Sequence, residues 1–224
     1  MQEAPAAVYE QTMPPVLVLD FDGTLTDVDV GDAVCDRFAP PAWREIDKRW
    51  ERREISLPEA QRGMWGLVRA TREQALAGAR EVGHLRPGLE SLLGKAEGLG
   101  AEVWLASGGF DFYIEALLGE QRGRFARAYY NATRFEGDQL TVEFPHAALA
   151  CSSCAVCKGK VCDLARERGG PIVFVGDGHS DRCVIGRADR IAAVRGSHLA
   201  RWCREHGVAV LEFDRLDEVE ALLE

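Results

Sequence analysis

Hydrophobic positions along the 224-residue chain follow two rhythms, and their order predicts an α/β fold. Short continuous apolar runs occur at 16–19, at 101–106 broken only by Glu102, and at 171–175. Runs of that length flanked by glycine and polar residues read as strands buried on both faces, the habit of parallel sheets. Further strands are expected at 191–194 and 208–211. A hairpin is expected where 129–133 and 140–144 flank Phe135-Glu136-Gly137-Asp138-Gln139. Helical spacing takes over between these runs. Trp43, Ile46 and Trp50 recur on one face, and Leu89, Leu92, Leu93 and Ala96 give a packing helix before the second strand. Helices are also expected over 161–168 and near 217–223.

Two capping boxes mark helix starts inside the stretch that separates the first two strands. Ser56-Leu57-Pro58-Glu59 carries an early proline, and Thr71-Arg72-Glu73-Gln74 repeats the pattern. Three or four short helices are therefore predicted there, and Pro87-Gly88 marks the return to the main fold. The expected organisation is a discontinuous core, 1–30 and 85–224, with a small inserted α-helical cap at 31–84. The core is read as a Rossmann-like, three-layer arrangement around a parallel sheet.

The strand ends carry the candidate chemistry. Open α/β sheets bind ligands beyond the carboxyl ends of their strands, so Asp20 and Asp22 in Asp20-Phe21-Asp22-Gly23-Thr24 would face a crevice. One carboxylate could attack an electrophile and bind a metal while the other moves protons. An ordinary acidic turn is the competing reading. The second strand ends in Ser107-Gly108-Gly109, a hydroxyl beside two glycines that lets backbone N–H groups approach an oxyanion. Lys158 stands near a helix start, where an ammonium can neutralise phosphate. The third strand opens into Gly176-Asp177-Gly178-His179-Ser180-Asp181. These groups converge if the strands are parallel neighbours.

In that order, the four segments resemble the motifs of the haloacid dehalogenase superfamily of phosphatases, and the match spans most of the chain. The resemblance implies that Asp20 is a nucleophile forming an aspartyl phosphate and that Asp22 is the general acid and base. It further implies that Ser107, Gly108 and Lys158 bind phosphate. Mg²⁺ would be held by Asp20, Asp177 and the main-chain carbonyl of Asp22, with Asp181 orienting a coordinated water or Lys158. Leu85-Arg86-Pro87-Gly88 and Ser107-Gly108-Gly109-Phe110-Asp111 are similar to the phosphoserine phosphatase branch. In that branch an acidic residue at the place of Asp29 meets an ammonium group, and a cap arginine holds a carboxylate. Here an ungapped comparison puts Met64, in Arg62-Gly63-Met64, where the second arginine would stand. With Trp65, and with Trp43, it would make an apolar wall suited to a methylthio tail.

A nearer likeness is to the methionine-salvage phosphatases that act on 2-hydroxy-3-keto-5-methylthiopentenyl-1-phosphate. It is carried by Phe38-Ala39-Pro40-Pro41-Ala42-Trp43, by Ser107 through Tyr113 and by Phe144-Pro145-His146 with the Cys157-Lys158 stretch. Phosphoethanolamine and phosphocholine phosphatases resemble the cysteine-lysine stretch as well. The expected substrate is a small phosphorylated metabolite, with phosphoserine and the two amine phosphates as alternatives. A metal-binding regulatory protein on the same scaffold would be expected to lack one of the six motif side chains, and none is missing.

A net charge of −9 argues against nucleic acid or an anionic membrane as partner. No apolar stretch approaches the roughly 20 residues that span a bilayer, and residues 1–15 lack the basic start and apolar run of a signal peptide. A cytoplasmic location is expected, in which the seven cysteines are thiols or metal ligands. Cys35, Cys162, Cys183 and Cys203 read as small buried hydrophobes. Cys151, Cys154 and Cys157, with His146 upstream, have the types and short spacing of a zinc site. A tight loop of reduced thiols or a disulfide fits the same spacing.

Overall fold

The computed structural model describes residues 13–151 and 154–224. Most of the stretch read above against a signal peptide lies outside the described residues. β1 (Val16–Leu19) sits at the centre of a seven-stranded sheet. Its partners are β2 (Glu102–Phe110) on one side and β5 (Ile172–Gly176) on the other, both parallel to it. Outward from β2 come β3 (Arg127–Glu136) and β4 (Gln139–Glu143), and outward from β5 come β6 (Arg190–Val194) and β7 (Leu211–Phe213). Only the β3–β4 hairpin is antiparallel. The chain leaves β1 toward β2 and later returns to β5, so the crevice at their carboxyl ends is a topological switch point.

All of β1 is buried, and alternate side chains serve opposite layers. Leu17 and Leu19 pack on one face with Leu89, Leu92 and Leu93 of α5 (Leu89–Gly98) and Ile114 of α6 (Asp111–Leu118). Val16 and Val18 pack on the other face with Val161 of α7 (Lys158–Arg166) and Leu199 of α8 (His198–Glu205). Each fully buried aliphatic side chain contributes about 1.5–3 kcal/mol, so a strand apolar at every position holds two layers at once.

Four helices form the insert between β1 and α5: α1 (Val30–Phe38), α2 (Trp43–Glu51), α3 (Leu57–Trp65) and α4 (Arg72–Val82). Both capping boxes form, at Ser56/Glu59 and at Thr71/Gln74. The two connections to the core run side by side. Thr26 and Leu85 make an antiparallel bridge, and Arg86 N–H donates to the Leu25 carbonyl at 2.7 Å. Arg69 bridges Gln139, and the Arg62 guanidinium lies 4.7 Å from the Phe144 ring centroid, so the insert also rests on the β3–β4 hairpin.

Several boundaries differ from the sequence reading. β2 runs on through Ser107, Gly108 and Gly109 to Phe110, with a register break after Ala106. α7 starts at Lys158 itself rather than at 161. The last strand is 211–213 rather than 208–211, because Val208 N–H is spent on the Cys203 carbonyl in closing α8. The terminal helix is 3-10 over Leu216–Leu222, where buried Leu216 and Val219 recur at the three-residue period of that helix. Among the described residues, no helix is long and apolar enough to cross a membrane.

Candidate active site

Asp20 is the first residue past β1, still held to the sheet by its N–H to the Val175 carbonyl at 2.9 Å. The residue is 4% exposed; Oδ1 accepts from Phe21 N–H at 2.8 Å, and Oδ2 lies 2.7 Å from Lys158 Nζ. Lys158 projects from the first turn of α7 and also donates to Asp181 and, at 3.2 Å, to Ser180 Oγ. Asp181 is fully buried. Its second oxygen accepts from the N–H groups of Asp177 and Gly178 at 2.9 and 2.8 Å, folding the loop after β5 over the strand end. Asp177 Oδ1 accepts from Thr24 Oγ1 at 2.9 Å, tying that loop to the one after β1. Gly23, at φ +73°, is where the two loops touch: a Cβ would stand 2.6 Å from Asp177 Oδ2.

Burial taken alone would lower the Lys158 ammonium, but the Asp181 and Asp20 carboxylates outweigh it and hold its pKa well above the lysine range. Burial lifts Asp20 well above the carboxylate range in spite of Lys158, with Asp181 and Asp177 adding repulsion. Asp177 is pushed up to about 7 by burial and then by Asp181. Carboxylate oxygens of Asp20, Asp177 and Asp181 lie within 4.8 Å of one another. Three crowded acids against one ammonium suit a hard divalent cation with oxygen ligands.

Asp22 is held by other partners. Its Oδ1 accepts from Val30 N–H at 3.1 Å, at the start of α1, and its Oδ2 accepts from the Tyr113 hydroxyl at 2.8 Å. Burial, then the Asp29 charge, pushes its pKa to about 8 against those two donors. Gly109 allows this approach, since a Cβ there would meet the Tyr113 hydroxyl at 2.1 Å.

Ser107, Gly108 and Lys158 line one cavity of about 270 Å³ together with Asp20, Asp22 and Asp177. Asp29, Met64 and Phe110 also line it, with Trp65 against Phe110 at 4.8 Å. Trp43 does not: it is packed 1% exposed into the hydrophobic cluster that runs from the insert to the sheet, and Trp50 reaches the cavity instead. Ser107 is 1% exposed, and its Oγ accepts from Gly109 N–H at 2.9 Å. Arg62, stacked on Phe144, does not line the cavity, nor does any other arginine among the described residues.

Several cavity groups escaped the sequence reading. Gln61 Nε2 and Asn131 Nδ2 both donate to the Gly108 carbonyl, at 2.6 and 2.7 Å, and each leaves a buried amide oxygen without a hydrogen-bond partner. Asp32, Asp47 and Glu51 join Asp29 on the insert's side. Burial, then the Asp29 charge, pushes Asp32 to about 8, and burial, then Glu51, pushes Asp47 to about 6. No periodicity marks these positions, because each reaches the cavity only through how α1, α2 and α3 lean on the sheet. The cysteines also sort differently. His146 packs edge-on against Tyr129 and stays outside the sulfur cluster, whereas Cys183 packs partly buried against the core, as read above, and also stands beside Cys154 and Cys157.

The model of the family described as haloacid dehalogenase-like hydrolase matches residues 17–185. The chain belongs to that family. A 2-hydroxy-3-keto-5-methylthiopentenyl-1-phosphate phosphatase from Exiguobacterium sibiricum is 30% identical over 207 residues, covering 91% of this chain and 93% of that one. Another of the same name, from Bacillus velezensis, is 27% identical over 216 residues, covering 95% and 91%. Among solved structures, a phosphoserine phosphatase bearing a phospho-aspartyl intermediate analogue superposes with a TM-score of 0.71 at 21% identity, over 96% of this chain and all of that one. This last likeness is one of fold. As a phosphatase of the haloacid dehalogenase family, the protein is a phosphoric monoester hydrolase, and Mg²⁺ is the ion such phosphatases generally use.

Proposed function

We propose that this phosphatase removes the phosphate of 2-hydroxy-3-keto-5-methylthiopentenyl-1-phosphate, in methionine salvage in the cytoplasm, through an aspartyl phosphate on Asp20. The observation that carries the reading is a single cavity in which the Asp20–Lys158 pair faces an apolar wall of Leu57, Met64, Trp65 and Phe110, with no arginine among its described lining residues. Asp20 attacks phosphorus as the ester P–O bond breaks, and Asp22 gives its proton to the departing alkoxide. Water then attacks the phosphorus of the acyl phosphate and yields its proton to Asp22. Phosphate leaves and Asp20 is restored. Ser107, the Gly108 amide and Lys158 hold the phosphoryl oxygens. Asp20, Asp177 and the Asp22 main-chain carbonyl would hold Mg²⁺, with Asp181 steadying Lys158 or a coordinated water. When bound, the ion supplies positive charge to the phosphoryl oxygens. The helical insert, 31–84, serves as a cap that excludes water around the reacting groups.

Phosphoserine suits this cavity poorly, since its carboxylate would meet Asp29, Asp32, Asp47 and Glu51 instead of a guanidinium. Those same acids favour a second reading, an amine phosphate such as phosphoethanolamine or phosphocholine, whose cation they would attract beside Trp50 and Trp65. A turnover screen separates the readings. The salvage intermediate is expected to give the highest kcat/KM, by at least about tenfold over phosphoserine, phosphoethanolamine and phosphocholine. A preference for either amine phosphate would replace the first reading by the second.

A further inference from the structure

Three cysteine sulfurs meet at the foot of α7, and a fourth cysteine, Cys183, stands beside them. The Sγ atoms of Cys151, Cys154 and Cys157 lie within 4.8 Å of one another. Cys183, on the 3-10 turn Ser180–Val184, stands beside Cys154 and Cys157 but outside that group, its thiol donating to the Ser180 carbonyl at 3.1 Å. A tetrahedral zinc ion with bonds of about 2.3 Å sets its sulfurs about 3.8 Å apart, so the three loop sulfurs lie near coordination spacing and Cys183 joins them by turning its thiol from the Ser180 carbonyl.

Backbone donors already meet two of these sulfurs: Cys154 N–H donates to Cys151 Sγ at 3.3 Å and Gly159 N–H to Cys183 Sγ at 3.2 Å. Amide hydrogens aimed at sulfur favour its ionised form, which is the form that binds metal. The loop is closed by Cys151 N–H to the Cys154 carbonyl at 3.0 Å and Cys157 N–H to the Leu149 carbonyl at 3.1 Å. Lys160 Nζ caps the preceding carbonyls of Ala148 and Ala150.

We propose that Cys151, Cys154, Cys157 and Cys183 bind one zinc ion in a closed tetrathiolate site that positions Lys158. Three ligands come from the loop entering α7 and one from the loop after β5, so the ion joins the two segments that build the phosphate end of the cavity. Cys157 immediately precedes Lys158, and Cys183 follows Asp181 by two residues. The segments already touch: a Cβ on Gly159 would stand 2.3 Å from the Cys183 carbonyl oxygen. Four sulfur ligands leave no open position, so the ion has a structural rather than a chemical part.

The test is metal analysis of the full-length protein purified under reducing conditions with Mg²⁺ and without added zinc. About one zinc ion per chain is expected. It should be lost in Cys183→Ser and Cys154→Ser and retained in His146→Ala and Cys35→Ala. Should the serine variants fail to fold, the wild-type chain still answers: exchange of zinc for Co²⁺ should give the visible absorption of a four-thiolate tetrahedral site. Stripping zinc should weaken competitive inhibition by inorganic phosphate about tenfold, and adding zinc back should restore it. Reduced protein without zinc, a disulfide within the cluster, iron in place of zinc, or zinc retained by Cys183→Ser would each overturn the site. Unchanged inhibition by phosphate after stripping would overturn its role in placing Lys158.

Discussion

At the scale of single residues, function turns on which carboxylate faces which partner. Asp20 and Asp22 are two positions apart, yet one meets the Lys158 ammonium and the other meets the Tyr113 hydroxyl and the start of α1. Asp20→Asn keeps the size but removes the proposed nucleophile, so turnover should fall at least about a thousandfold with unchanged circular dichroism. Asp22→Asn should fail differently. With an aryl phosphate, which departs without help, the phosphoenzyme should form and persist, visible as a mass increase on intact protein. Asp32 gives a stability prediction with a definite sign. Its pKa is pushed to about 8 in the fold against 3.8 for the free side chain, so between those pH values the folded chain binds a proton that the unfolded chain has released. The stability tied to Asp32 is complete below about pH 4 and is lost as pH rises through 8. Asp32→Asn should therefore raise stability at pH 8 and leave it nearly unchanged at pH 4, by urea denaturation. Because Asp32 is partly solvated, the gain should be on the order of 1 kcal/mol.

At the scale of elements, the contact between the first turn of α7 and the Ser180–Val184 turn braces the Lys158 end of the cavity, the proposed phosphate seat. Gly159 is the point of closest approach. Gly159→Ala must push the Cys183 carbonyl away and should cost about 1–3 kcal/mol, read from the denaturant midpoint, with a loss of kcat that exceeds any change in KM. A change confined to stability would mean that Lys158 keeps its place when the two turns separate. Much of this level was legible beforehand. The capping boxes at Ser56 and Thr71 declare themselves locally, because cap chemistry depends on residues three apart. The length of β2 was not legible, since Ser107-Gly108-Gly109 reads as a loop until parallel pairing with β3, through Phe110 and Asn131, draws it into the sheet.

At the scale of the whole molecule, one arginine links the insert's hinge to the far end of the core. Arg86 donates to the carbonyls of Gly23, Thr24 and Thr26 and, at 3.4 Å, to that of Asp214 beyond β7. Burial lowers its pKa from the arginine range, yet acidic groups, Asp177 first among them, favour its charge. Arg86→Ala leaves those carbonyls without a charged donor and should cost about 2 kcal/mol in urea denaturation. It should also speed proteolytic cleavage at the paired connections near Thr26 and Leu85. Equal cleavage rates in variant and wild type would show that the bridge between the connections holds without it.

The sequence by itself determined most of the strands, the order of the polar groups at their ends and the run of short helices between the first two strands. Those features rest on local signals: continuous apolar runs, capping boxes and acids at strand ends. Tertiary structure decided what those groups meet. Asn131 lies in the expected hairpin with nothing local to mark it as buried, yet packing of β3 beside β2 leaves it 1% exposed against the Gly108 carbonyl. Met64 and Trp50 reach the cavity while Trp43 turns into the insert, a choice made by how α2 and α3 pack together. Cys183 stands beside sulfurs 26 and more residues earlier in the chain, a proximity that no local spacing encodes. Periodicity reports which face of an element is apolar; only the assembled sheet and its crossovers bring distant faces into contact.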